Sequence, residues 1–93
     1  MRRDELLKRF QALSHELRIR ILQALEGGPL SYAELARLVF ADIYSTFDTG
    51  KFNYHLRYLL ERGLIRKTRS GRKMIYELTP LGRKALYAIR LLV

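Results

Sequence analysis

The chain has 93 residues, 48% of them hydrophobic, which is enough for one small core but not for a second, ligand-binding domain beside it. Eighteen Lys and Arg against nine Asp and Glu give a formal charge of +9, a balance that suits a polyanionic partner. The lack of cysteine excludes disulfides, thiolate metal sites, iron-sulfur clusters and cysteine nucleophiles.

The positive charge is uneven. Between Lys51 and Lys73 stand Lys51, Arg57, Arg62, Arg66, Lys67, Arg69, Arg72 and Lys73 against the single acid Glu61, so one quarter of the chain holds most of the excess. Neither a leader-like apolar segment nor an apolar run of membrane-spanning length is visible, and the expectation is a soluble, cytoplasmic, single domain over residues 1–93. Asn53 is the only asparagine and Gln11 and Gln23 the only glutamines, which together with abundant Arg points to a hot-living source.

In chain order, Asp4 to Leu13 reads as a first helix with Leu6, Leu7, Phe10 and Leu13 on one face. Ser14 caps a second helix to about Glu26, with Leu17, Ile21, Leu22 and Leu25 facing inward, stopped by Gly27, Gly28 and Pro29. Ser31 and Glu34 form a capping box that opens a third helix, which presents Leu35, Leu38 and Val39 and runs to roughly Phe40. From Ala41 to Asp48, Ile43, Tyr44 and Phe47 either extend that helix or form an apolar connection, and the pattern leaves both open. Asp48 or Thr49 caps a fourth helix to about Arg62, with Phe52, Leu56, Leu59 and Leu60 inward and Gly63 placed for its C-terminal cap.

Leu64 to Arg69 and Lys73 to Thr79 alternate with the two-residue strand period around Ser70, Gly71 and Arg72, which predicts a β-hairpin with a basic tip. Thr79 caps a last helix that starts at Pro80 and carries Leu81, Ala85, Leu86, Ile89, Leu92 and Val93. The order helix, helix, helix, helix, hairpin, helix is that of a winged helix-turn-helix, mainly α with a β-hairpin wing. A helix over about 49–62 is narrow enough for a major groove, and a wing over 66–73 projects cations toward the flanking backbone or minor groove.

Four segments carry a family resemblance: ALSHELRIRILQAL (Ala12 to Leu25), YAELARL (Tyr32 to Leu38), FNYHLRYLLERGLI (Phe52 to Ile65) and SGRKMIYELTPLG (Ser70 to Gly82). Together they resemble the ArsR-type winged-helix regulators, archaeal members especially. The resemblance implies a transcription regulator that binds double-stranded DNA as a homodimer. Three features depart from that pattern. The metal-binding cysteines are missing, Glu16 stands where many relatives have proline, and the connection from Ala41 to Asp48 is longer than a tight helix-turn-helix turn.

Lys51, Asn53, Tyr54 and Arg57 lie off the apolar face of the fourth helix and match positions that the resembling proteins direct into the groove. Asn pairs bidentately with adenine and Arg with guanine, so the residue types suit base reading, and a solvated helix face is the alternative. Tyr54 and Tyr58 can instead pack between helices. Arg66, Arg69, Arg72 and Lys73 read as phosphate contacts of the wing, with Arg72 at the tip the candidate for the minor groove. His15 and His55 lack metal-ligand spacing, and His55 reads as a packed, hydrogen-bonded residue; no metal or cofactor is expected. No serine has an adjacent base and no paired carboxylates or phosphate-cradling loop occur, so an enzyme is not expected.

The last helix is apolar nearly all round. Leu86, Ile89 and Leu92, with Leu6, Leu7 and Phe10 of the first helix, read as a two-fold dimer interface, the rival being that both helices close the protomer's own core. A nonspecific DNA-coating or architectural protein, and an interaction module of the transcription machinery or RNA, are the alternative functions.

Overall fold

The computed structural model describes residues 16–41 and 48–92. The expected first helix with Leu6, Leu7 and Phe10, the Ser14 cap, His15, most of the ambiguous connection, Val93 and the side chain of Leu92 lie outside the described residues.

Helix α1 (Glu16–Ala24) passes into a 3-10 turn (Leu25–Gly27), so the α-helix ends earlier than its apolar spacing predicts. A short strand β1 (Leu30–Ser31) leads into α2 (Tyr32–Val39). The expected capping box is formed there: Glu34 N–H donates to Ser31 Oγ at 3.2 Å, and Ser31 N–H donates to the Glu34 carboxylate at 3.0 Å. That backbone amide holds the Glu34 carboxyl below its ordinary range.

Helix α3 (Thr49–Glu61) is capped by Asp48, whose carboxylate accepts from Lys51 N–H at 3.0 Å. Its C-terminus is closed by two bonds, Gly63 N–H to Leu60 O at 3.1 Å and Leu64 N–H to Leu59 O at 3.0 Å. This pairing requires a left-handed residue after the helix, and Gly63 supplies it with φ 71°.

Strands β2 (Ile65–Ser70) and β3 (Lys73–Leu78) form the predicted hairpin, with Ser70 paired to Lys73 around a two-residue loop. Gly71 takes φ 62° in the first loop position while Arg72 keeps negative φ, the pattern of a type II′ turn that matches the twist of the strands. A feature the sequence pattern does not announce is the third strand. β1 pairs antiparallel with β3, Leu30 opposite Tyr76 and Ser31 opposite Ile75, giving the order β1-β3-β2. Ser31 therefore ends a strand and caps a helix at once, which fixes α2 to the sheet.

Helix α4 (Pro80–Leu92) packs across α1 and β3. Thr79 joins it to the wing root, since its Oγ1 donates to Gly63 O at 2.6 Å and accepts from Gly82 N–H at 3.0 Å. Glu26 and Arg90 pair side by side and tie the 3-10 turn to the end of α4, and this partner holds the Glu26 carboxyl below its ordinary range. One core results, built from Ile21, Leu22 and Leu25, Leu35, Val39 and Phe40, Phe52, Leu56 and Leu59, the sheet residues Ile65, Tyr76 and Leu78, and Leu86.

Leu86 corrects one expectation. At 2% exposure it belongs to the protomer's own core and offers no free surface to a second subunit, while Ile89 is partly buried against that core. Among the described residues, the large apolar side chains that α4 leaves in solvent are Leu81, Tyr87 and Leu91, the last two 66% and 70% exposed and one turn apart.

Candidate nucleic-acid interface

The structure separates the two faces of α3 as its apolar period requires. Phe52, His55, Leu56 and Leu59 are buried, whereas Lys51, Asn53, Tyr54 and Arg57 are exposed. Asn53, Tyr54 and Arg57 follow one another along the outer face, and Glu61 continues it one turn further on. An acid there repels phosphate, so the surface fit for a polyanion is confined to the first two turns of the helix. Lys51 sits toward the flank shared by Tyr58 and Arg62.

The inner side of α3 is anchored through Arg18. Its Nε donates to His55 Nδ1 at 3.1 Å, and its guanidinium carbon lies 3.4 Å from the centre of the Tyr58 ring. Arg62 stacks on the same ring at 4.6 Å. His55 is thus packed and hydrogen-bonded through Nδ1, and Tyr58 packs between helices while Tyr54, 55% exposed, does not. Among the described residues no group of three His, Cys, Asp or Glu is placed to hold a metal ion.

On the wing, the expected cations are exposed but not equivalent. Arg66 faces Glu77 across the strand pair, with Nε 2.7 Å from the carboxylate, and its charge is largely matched within the sheet. Arg69 donates to Gly71 O at 3.2 Å and braces the turn. Among the described residues, Arg69, Arg72 and Lys73 have no carboxylate partner at ion-pair distance.

The tip of the wing and the start of α2 enclose an open cleft lined by Tyr32, Glu34, Arg37, Arg72, Lys73 and Met74, among others. Arg37 therefore shares this cleft with Arg72 and Lys73, and the Glu34 carboxylate lies among them, close enough for Lys73 and Arg37 to help the Ser31 amide lower its pKa. No local pattern marks Arg37, and the sheet pairing of β1 with β3 brings it to the wing. Tyr32 is the second residue that the sequence pattern does not reveal. It lines this cleft, and its hydroxyl donates to Asn53 Oδ1 on α3 at 2.7 Å. The exposed face of α3 and the unmatched cations of the wing are thereby parts of one continuous surface.

A helical core with a three-stranded sheet, whose hairpin projects beside one exposed helix, is the winged-helix fold. Solved structures support that class. F93 from STIV, described as a winged-helix DNA-binding protein, is 14% identical over 87% of each chain with a TM-score of 0.69. A PadR family transcription regulator from Clostridium difficile is 20% identical, with 81% of this chain and 83% of that chain covered and a TM-score of 0.73. RosR of H. salinarum is 22% identical, with 77% of this chain covered and a TM-score of 0.70, and the chain spans 66% of its length. These identities speak for the fold. Residues 7–89 match the family model described as "Domain of unknown function (DUF7347)", and the chain belongs to that family. Among curated proteins none matches the chain. No described helix is long and apolar enough to cross a membrane.

Proposed function

We propose that the protein is a sequence-specific, double-stranded DNA-binding transcription regulator of ArsR-like type that acts in the cytoplasm as a homodimer. In this reading the first two turns of α3 enter the major groove, where Asn53, Tyr54 and Arg57 meet base edges and Lys51 a flanking phosphate. Arg72 and Lys73, with Arg37 across the cleft and Arg69 behind the turn, hold the neighbouring backbone, and Arg72 is placed for the minor groove. Arg66, already matched by Glu77, contributes less. The observation that carries the reading is the continuity through Tyr32 of the polar face of α3 with the cleft that Arg72 and Lys73 of the wing line. The printed roles of the PadR regulator and F93 agree with it, and binding rather than catalysis is the function they support. A hot-living archaeal source fits the scarcity of Asn and Gln and the segments shared with archaeal regulators.

The homodimer rests on the outer face of α4. Tyr87 and Leu91 are the exposed apolar pair there, and Leu6, Leu7, Phe10 and Leu92 are proposed to join them. Sedimentation at micromolar concentration is expected to give a dimer, and Tyr87→Glu with Leu91→Glu a monomer that keeps its helical signal. A wild type that sediments as a monomer at that concentration contradicts the pairing.

Selection from a pool of random duplexes tests the function itself. It is expected to enrich one motif whose inverted half-sites lie about one helical turn, ~34–36 Å, apart. Equal affinity for every duplex would mean a coating or architectural protein instead, and preference for RNA an RNA-binding module.

A further inference from the structure

The sequence pairs Asn53 with adenine because a free carboxamide offers one acceptor and one donor side by side. In the folded chain that carboxamide is not free. Tyr32 occupies the first position of α2, where Ser31 fixes the backbone twice, through the strand pair with Ile75 and through the capping box. Its ring is held as well, 5.2 Å from Phe52 and 6.4 Å from Tyr76 between ring centres, with Phe40 edge-on to Phe52 at 5.7 Å. The phenol is therefore a fixed post, and its hydroxyl donates a hydrogen bond to Asn53 Oδ1 at 2.7 Å.

An exposed Asn side chain rotates broadly about its last torsion, and one short hydrogen bond to a fixed donor selects a single setting. With the carbonyl oxygen turned to α2, the amide nitrogen is the group left to the groove. Two donors then face the base. Guanine is the base with two adjacent acceptors, N7 and O6, on its major-groove edge, whereas adenine places a donor beside N7 and cytosine offers a donor.

We infer that Tyr32 is a positioning residue that sets Asn53 as a hydrogen-bond donor, so that α3 selects guanine rather than adenine at the position Asn53 faces. This rests on the reading of α3 as the base-reading helix. Tyr32 itself touches no base. It acts on specificity through a side chain on another helix, and the phenylalanine variant removes the proton donor while keeping the packed ring.

The test is affinity of wild type, Tyr32→Phe, Asn53→Ala and the double variant for the selected site and for sites carrying each other base at the Asn53 position. Wild type is expected to favour guanine over adenine there by about tenfold, the scale of one good base contact. Tyr32→Phe frees Oδ1 to accept from adenine N6 and is expected to reverse or erase that ratio while preferences at other positions stay within about twofold. The double variant is expected to match Asn53→Ala, because Tyr32 has no other route to the base. Thermal unfolding of Tyr32→Phe within a few degrees of wild type shows that the ring frame is intact. A wild-type preference for adenine, an unchanged ratio in Tyr32→Phe, or a uniform loss on all sites overturns the inference and leaves the DNA-binding reading standing. A wild type that distinguishes no duplex from another overturns both.

Discussion

Gly82→Ala is expected to lower stability by about 3 kcal/mol or more, and the thermal midpoint by roughly 12–24 °C for a domain of this size. Alanine in place of an exposed helical glycine ordinarily stabilises by about 0.4–1 kcal/mol, so the sign is set by the surroundings. A Cβ built on Gly82 runs into Leu64 O and falls 3.0 Å from Leu64 C and 3.1 Å from Leu78 Cδ2. The first two of these are backbone atoms at the entry to β2 and cannot swing aside. Moving Leu64 also strains Thr79 N–H to Leu64 O, at 3.2 Å, and the neighbouring bond from Thr79 to Gly63, so the joint between α3, the wing and α4 opens as a unit. Gly50→Ala is the control. Its Cβ would meet only Asp48 Oδ1, 3.2 Å away, the oxygen that caps α3 by accepting from Lys51 N–H, so the loss is limited to that cap, about 0.5–2 kcal/mol, and no backbone atom stands in the way. Equal midpoints for the two variants in calorimetry would show that the close approach of α4 to Leu64 does not hold.

The parts of this molecule that were legible in the sequence act over three or four residues. Ser31 with Glu34, Asp48 before α3, Gly63 after it, Gly71 in the turn and Thr79 before Pro80 all do their work on adjacent backbone groups, and each lies where its local pattern put it. What was not legible depends on distant partners. Strand β1 is two residues long, too short for any period, and exists because β3 offers its edge. Tyr32 meets Asn53 across 21 residues of chain, and Arg37 reaches the wing only after the sheet has formed. Leu86 misled for a related reason: an apolar stripe reports that a helix face is buried but not by what, and here α1 and the sheet cover it. The resemblance to winged-helix regulators anticipated the architecture. It says nothing of Arg66, whose match with Glu77 follows from the register of this hairpin.

The proposed division of labour between α3 and the wing leads to the second large effect. Arg57 projects from a helix held on its inner side by Phe52, Leu56 and Leu59 and by the Arg18 contacts to His55 and Tyr58, so in the proposed complex its guanidinium would approach a base edge from a fixed origin. Arg72 and Lys73 stand at a hairpin tip, where charge is presented without fixed geometry. Arg57→Ala is expected to cost about 1–3 kcal/mol on the selected site and much less on scrambled duplex, so the ratio of the two affinities falls. Arg72→Ala with Lys73→Ala is expected to weaken both duplexes alike and to reduce the salt slope by roughly 1 for each phosphate that is no longer neutralised.

The ratio of selected-site to scrambled-duplex affinity, followed across salt concentration for wild type and these variants, is therefore the measurement that bears most directly on the central claim that α3 reads and the wing holds. A ratio that collapses with Arg57→Ala and survives removal of the wing cations is the predicted result. A ratio that collapses with the wing variants and survives Arg57→Ala contradicts it.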